Sequence, residues 1–194
     1  MARIKKKLNI SCTSTDCENG LHCFKATEEL VKKHKEGTCR ECGTKLVDWQ
    51  RVHSREMRDV ENTFAMLKFE YIRHHFWHVP IGQRALNHAR RKGRNGLRER
   101  VKRHLSSAIG PAHPWHDGTQ TTMSKDAPSA IPYAQHATAT CCRKCLEYWH
   151  GIPQGQELAE NELNYLTALV CKYLDERIPN LTENGEYIPP IRGR

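Results

Sequence analysis

The sequence predicts a mainly α-helical chain with a small N-terminal zinc-ribbon-like β module, that is, a small α+β metal-stabilised protein. Three observations favour this class: two cysteine clusters, apolar stripes at helical spacing after residue 54, and a hydrophobic share of only 38% in 194 residues. So small an apolar share yields a modest core, which bound metal would reinforce.

The N-terminal module, residues 8–50, holds six candidate metal ligands within a short span. Its most specific signal is the CxxC of GTCRECGTKL, because a CxxC followed by glycine forms a tight turn that presents two thiolates to zinc. TKLVDW, which follows, is predicted to be a short strand. The predicted ligands are Cys17, Cys23, Cys39 and Cys42, with Cys12 or His22 as substitutes.

The nine cysteines have other interpretations. A thioredoxin-like CxxC would precede a long helix, whereas a glycine-containing turn follows here. Buried thiols without a metal would not cluster so closely beside polar residues. No secretory signal is recognisable at the N-terminus, so we expect a cytoplasmic protein whose cysteines act as ligands or thiols rather than disulfides.

A helical region with a basic stretch is predicted over 54–109. Ser54 is the expected cap of a long helix that reaches His78, because apolar residues recur at spacings of three and four. Further helices are predicted over 81–92 and 96–109, separated by KGRNG. The first stripe consists of Met57, Val60, Phe64, Leu67 and Tyr71.

Positive charge is concentrated between residues 83 and 104, where nine arginines and lysines stand against Glu99 as the single acid. With a net charge of +9, this pattern indicates nucleic acid, DNA or RNA, as a partner, although an acidic protein would fit the same charge. The predicted phosphate contacts are Arg84, Arg90, Arg91, Lys92, Arg94, Arg98, Lys102 and Arg103.

A second cysteine and histidine cluster lies in the region 110–178, within HATATCCRKCLEYWHG. Four soft ligands in the order His, Cys, Cys, His match the set that zinc prefers. Thiol chemistry is an alternative, because a helix start beside basic residues lowers thiol pKa values. The predicted ligands are His136, Cys142, Cys145 and His150, with Cys141, His113 and His116 as alternates.

The run YAQHATATCCRKCLEYWHGIPQGQELAENELNYLTALV resembles a bacterial family of domains of unknown function, family 4186. The resemblance covers roughly residues 110–175 and rests on the HAT-x-x-CC-x-x-C and WHGI elements. It implies that His136, Cys142, Cys145 and the turn 149–151 belong to one motif. It implies no established activity.

The loop AHPWHDG supplies the alternative of a metal-dependent nuclease or hydrolase. In that hypothesis His116 is the general base, and His113 and Asp117 bind a catalytic metal. Few carboxylates lie near these histidines, which disfavours magnesium chemistry. An accessory subunit of a larger nucleoprotein complex, joined through the acidic last helix, is a further alternative.

The last helix is predicted over 159–176, followed by an extended tail over 179–194. No run of apolar residues approaches the length of a membrane span, so no membrane partner is expected. Together these features favour a zinc-stabilised nucleic-acid-binding protein with one or two zinc ions, and they do not favour an enzyme.

Overall fold

The structure, a computed structural model, describes residues 10–33, 35–115, 117 and 127–189. This part of the chain is mainly helical and contains eight α-helices. They are α1 (Glu28–Lys32), α2 (Trp49–Ser54), α3 (Val60–Leu67), α4 (Tyr71–His78), α5 (Gln83–Ala108), α6 (Ile131–Ala137), α7 (Arg143–His150) and α8 (Glu160–Arg177).

Helix α8 forms the centre of the core, because α3, α5 and α6 all pack against it. Its apolar residues recur at helical spacing and are buried along most of its length. Each such side chain stabilises the fold by roughly 1.5–3 kcal/mol. The buried apolar side chains of α8 are Leu163, Tyr165, Leu166, Leu169, Val170, Tyr173 and Leu174.

Two further contacts complete the body: α4 packs on α6, and α2 packs on α7. Helices from both predicted regions, 54–109 and 110–178, therefore share one core. The predicted division into four parts stays a prediction.

Helix α5 bends at Gly93, whose φ of 64° and ψ of 179° are not helical. A Cβ at this position would lie 2.1 Å from the backbone nitrogen of Gly185. The C-terminal arm, residues 178–189, crosses the bend, and the amide of Arg94 donates to the carbonyl of Thr182 at 2.9 Å. The break predicted at KGRNG is thus a kink within one helix, and the C-terminal arm packs against this kink.

The predicted N-terminal β module is wrong, because the described residues contain only isolated bridges, Asp16 with Leu21 and His22 with Glu70, and no strand. The predicted strand TKLVDW has no partner to pair with. Its end instead begins α2, since the Asp48 side chain accepts a hydrogen bond from the amide of Arg51.

The predicted helix over 54–78 is also wrong as a single element. Ser54 ends α2 rather than capping a helix, and the next residue, Arg55, has a left-handed φ of 54°. A second break separates α3 from α4 at residues 68–70. A 3-10 helix, Met57–Asp59, and the two short helices α3 and α4 therefore replace one long helix and turn the chain around the core.

No helix in the described part of the chain is long and apolar enough to cross a membrane.

Candidate metal centres and basic helix

The first cluster brings together one imidazole nitrogen of His22 and the sulfurs of Cys17, Cys39 and Cys42, all within 4.8 Å of one another. The Cys17 and Cys39 sulfurs are 3.8 Å apart, and Cys42 Sγ lies 3.4 Å from His22 Nδ1. Tetrahedral zinc, with Zn–S of about 2.3 Å and Zn–N of about 2.0–2.1 Å, requires ligand separations of roughly 3.5–3.8 Å. These two separations are close to those of a four-coordinate zinc site.

Tight turns place these ligands. Cys17 opens a short 3-10 helix that ends at Gly20, with a left-handed φ of 73°. In the CxxC turn, the amide of Gly43 donates to the carbonyl of Cys39 at 2.9 Å, and Gly43 is also left-handed. Gly43, the glycine after the CxxC, thus closes the tight turn that the sequence motif predicts.

His22 joins this cluster to the helical body. Its amide donates to the carbonyl of Phe69 at 2.8 Å, and its carbonyl accepts from the amide of Tyr71 at 2.9 Å. The same residue therefore offers its ring to a metal and its backbone to the start of α4. A metal bound here would tie the N-terminal segment to the body.

The predicted ligand Cys23 does not join the group. Its side chain is buried, and its sulfur lies 3.4 Å from the carbonyl oxygen of Cys12. Burial raises the pKa of Cys23 to about 11, which favours the neutral thiol. His22, the substitute, takes its place, and the exposed Cys12 is also outside the group.

The thiols of this cluster differ in how readily they ionise. Hydrogen bonds from the side chain and backbone of Thr44 lower the pKa of Cys42 to about 6. Desolvation, reinforced by the neighbouring Cys42 and Cys39 sulfurs, raises the pKa of Cys17 to about 12. Crowded thiols resist losing their protons together, and a cation removes that repulsion.

The second cluster consists of Cys141, Cys142 and Cys145, whose sulfurs lie within 4.8 Å of one another. Cys141 Sγ and Cys145 Sγ are 3.5 Å apart. Cys142 immediately precedes α7 and Cys145 lies in its first turn, so the helix start gathers all three. The structure thus brings together the predicted Cys142 and Cys145 with the alternate Cys141.

The two predicted histidine ligands are not in this group. The ring of His136 stacks on Phe76, with centroids 4.3 Å apart and an interplanar angle of 19°. The ring nitrogen Nε2 of the buried His150 lies 3.0 Å from the carbonyl oxygen of Thr138. Burial lowers the pKa of His150 to about 4.

A buried ion pair that sequence analysis missed lies beside the second cluster. Arg73, only 1% exposed, donates through Nε to Glu70 Oε2 at 3.0 Å and through Nη2 to Cys145 Sγ at 3.2 Å. Glu70 also accepts from the Tyr148 hydroxyl at 2.6 Å and from Trp149 Nε1 at 2.5 Å. The sequence signal that could have revealed this pair is FEYIR, in which Glu70 and Arg73 stand three residues apart among aromatic residues.

The three thiols of the second cluster differ in how readily they ionise. Hydrogen bonds with Cys141 and Cys142, followed by the charge of Arg73, hold the pKa of Cys145 well below its ordinary value. Hydrogen bonds to Cys142 and Cys145, together with burial, raise the pKa of Cys141 well above it. The helix start and the guanidinium thus favour at least one thiolate.

The basic stretch lies along α5, and three of its predicted phosphate contacts are engaged within the protein. Arg90 pairs with Glu186 at 2.6 Å. Arg94 pairs with Asp175 at 2.9 Å and with Glu183 at 3.3 Å, and Lys102 pairs with Glu160 at 2.5 Å. The acids come from α8, its N-terminal end included, and from the C-terminal arm.

The other predicted contacts are exposed. Within the described part of the chain, none of them forms an ion pair. One of them, Arg91, donates to the carbonyl of Ile188 at 3.0 Å. These exposed cations are Arg84, Arg91, Lys92, Arg98 and Arg103.

The histidine loop does not assemble a site among the described residues. His113 is exposed, and Asp117 accepts a hydrogen bond from the amide of Arg143 at 2.8 Å, at the start of α7. His116, the predicted base, lies outside the described residues. Asp117 therefore has a structural partner, and nothing in the described geometry favours the nuclease alternative.

Comparison with known proteins supports the sequence resemblance and extends it. No solved structure matches the chain at a significant level. A family model described as Domain of unknown function (DUF4186) matches residues 61–175, which include the second cysteine cluster, the pair Arg73–Glu70 and most of the helical body. The first cluster precedes the matched segment. The chain therefore belongs to the family of domains of unknown function DUF4186.

Proposed function

We propose that this is a zinc-binding protein in which Cys17, His22, Cys39 and Cys42 hold one structural zinc ion. The observation that carries the proposal is the convergence of four ligand atoms within 4.8 Å, at separations that fit a tetrahedron. Three thiolates and an imidazole are a ligand set that structural zinc sites use.

The number of ligands favours a structural rather than a catalytic zinc. Catalytic zinc keeps one position open for water or substrate, whereas four protein ligands close the coordination sphere. His22 contributes a ligand and two backbone hydrogen bonds to the body. We therefore assign the zinc the role of fastening residues 10–48 onto α4.

The proposal is tested by the zinc content and zinc affinity of Cys42→Ser, with Cys12→Ser as the matched control. Cys42 is a member of the group, and Cys12 is an exposed cysteine outside it. We expect Cys42→Ser to lose one equivalent of zinc and Cys12→Ser to keep it. A Cys42→Ser variant with the zinc content and affinity of the parent would contradict the site.

A second candidate function is binding of nucleic acid by the exposed cations of α5. The observation that favours it is the set of exposed cations on this helix that form no ion pair with any other described residue, in a chain of net charge +9. Arginine and lysine on an extended surface suit contact with successive phosphates.

All nine cysteines lie in the described residues and none forms a disulfide, which suits a reducing cytoplasm.

Salt dependence tests this second function. Lys92→Ala, Arg98→Ala and Arg103→Ala together remove exposed charge and leave the arm contacts of Arg90 and Arg94 intact. We expect weaker binding to nucleic acid and a slope against log salt that is smaller, for each lost phosphate contact, by about 0.9 on duplex DNA and about 0.7 on single strands. An unchanged affinity and slope would favour an acidic protein partner instead.

A further inference from the structure

The second cluster differs from a structural zinc site in its ligand number. Among the described residues, its metal-ligating group contains three thiols and no fourth ligand. Neither predicted histidine belongs to this group: the ring of His136 stacks on Phe76, and Nε2 of His150 lies 3.0 Å from the Thr138 carbonyl oxygen. Structural zinc is almost always four-coordinate, so these three thiols alone leave zinc one ligand short.

A guanidinium lies beside the sulfurs. Arg73 Nη2 lies 3.2 Å from Cys145 Sγ, and Nη1 lies 3.9 Å from Cys141 Sγ. Arginine has no lone pair to give to a metal, but its N–H groups hydrogen-bond well to anionic sulfur. Ligands around metals are commonly oriented by such donors.

The position of Arg73 is fixed by other contacts. Its Nε donates to Glu70, and its Nη1 donates to the carbonyl of His136 at 2.7 Å. Glu70 is held in turn by Tyr148 and Trp149. The N–H groups that face the sulfurs are therefore preorganised, and they are satisfied best when the sulfurs are thiolates.

We propose that Cys141, Cys142 and Cys145 bind a thiophilic metal ion through three thiolates, with Arg73 as the positioning residue, and that Cu(I) is the ion this set selects. Soft thiolates favour soft ions, and Cu(I) forms stable trigonal thiolate complexes. Each sulfur that still carries a proton releases it to solvent as the sulfur binds the ion, and the ion keeps its oxidation state.

The three sulfurs differ in their exposure. Cys141 and Cys145 are buried, whereas Cys142 is only partly covered. Cys142 is therefore the most accessible of the three ligands to an ion from solvent. The proposal stands apart from the first cluster, because the two groups share no ligand.

The test is anaerobic titration with Cu(I) against a chromophoric Cu(I) chelator, in a background in which serine replaces every cysteine of the N-terminal segment, so that no thiol there competes for the ion: Cys12, Cys17, Cys23, Cys39 and Cys42. We expect one Cu(I) per chain, with thiolate-to-metal charge-transfer absorption. Adding Cys142→Ser should weaken binding at least 100-fold, whereas Cys171→Ser, outside both clusters, should leave the affinity unchanged. Arg73→Lys should weaken it by about 10–100-fold and shift the absorption.

Two results would overturn the proposal. Equal Cu(I) affinity in the Cys142→Ser and Cys171→Ser variants would remove the site. Failure of the fully reduced protein to bind Cu(I), with a Cys141–Cys145 disulfide forming in hydrogen peroxide, would identify a redox pair instead. If the Cys42→Ser variant loses zinc but still binds Cu(I), the two clusters bind their ions independently.

Discussion

The N-terminal segment, residues 10–48, and the helical body that follows it are held together by different means. Among its described residues, the segment buries only five side chains and has one α-helix, of five residues. The body packs several helices around α8 and buries most of the core. The buried side chains of the segment are His22, Cys23, Phe24, Cys39 and Val47.

This difference predicts different roles for the two cysteine clusters. The segment has little core of its own, so we expect metal ligands to take the place of that core and metal binding and folding to be one event. In the body, the fold already places the three thiols, Cys141, Cys142 and Cys145, at the start of α7. We therefore expect loss of metal to unfold the first region and to leave the second folded.

The largest expected effect is that of zinc removal on residues 10–48. Binding of structural zinc contributes about 10–16 kcal/mol in small zinc modules. Chelation should therefore open this segment to trypsin at Lys32, Lys33 and Lys35. Circular dichroism should change little, since α1 is the only α-helix in the described part of the segment.

The control for this experiment is Cys42→Ser without chelator, which should show the same cleavage pattern. Loss of most of the helical signal on chelation would contradict the division into a metal-held segment and a core-held body.

The next largest effect tests the interior of the body. Arg73→Met leaves the buried Glu70 without its cation, and breaking one side of a buried pair costs about 3–5 kcal/mol. Urea denaturation measures the loss. Arg58→Met, which breaks the exposed pair with Glu56, should change stability little. Equal effects in the two variants would show that the buried pair does not stabilise the body.

Acid should weaken the body through His150. Burial lowers its pKa from about 6.5 to about 4, so the native state disfavours the charged ring. The stability that depends on a neutral His150 is complete above pH 6.5. It is lost as the pH falls toward 4, because the unfolded chain gains the proton first. The shift corresponds to about 3 kcal/mol.

Denaturation across this pH range compares the parent with His150→Gln, which retains a side-chain donor for the Thr138 carbonyl. The variant should lose less stability on acidification. Loss of either metal at low pH affects both proteins, so parallel profiles would show that His150 is not responsible.

The smallest effect is expected where alanine replaces Gly96 of α5, with Gly93 of the same helix as its counterpart. Gly93→Ala places a Cβ 2.1 Å from Gly185 N at a left-handed φ. The backbone strain alone costs about 1–3 kcal/mol, and displacement of the C-terminal arm adds to that cost. Gly96→Ala meets only ordinary contacts in a helix and should stabilise by about 0.5–1 kcal/mol. Thermal unfolding should move in opposite directions for the two variants.

The regular elements were predictable where local pattern determines them. The stripe in α8 predicted a helix over 159–176, and the structure places it at Glu160–Arg177. The predicted β module was wrong, because the cysteine-rich segment has no alternating pattern and its shape follows from turns and from contacts with the body. The break at Arg55 likewise depends on contacts distant in sequence, since its guanidinium donates to the carbonyl of His150.

The two cysteine clusters were likewise predictable only where local sequence, rather than a contact distant in sequence, places a residue. The CxxC turn predicted Cys39 and Cys42, but spacing cannot tell which of the adjacent His22 and Cys23 faces the cluster. Backbone pairing with α4 turns His22 toward it. In the second cluster the contact between Arg73 and Cys145 joins residues 72 positions apart, which no motif reveals.

The central claim is that three thiolates and one imidazole hold zinc in the first cluster. X-ray absorption at the zinc edge tests it most directly, on a Cys145→Ser protein loaded with one equivalent of zinc, so that the second cluster is incomplete. We expect three sulfurs at about 2.3 Å and one nitrogen at about 2.0–2.1 Å. In the same protein with His22→Ala, the imidazole signal should disappear. A shell of four sulfurs, or one dominated by oxygen and nitrogen, would contradict the assignment.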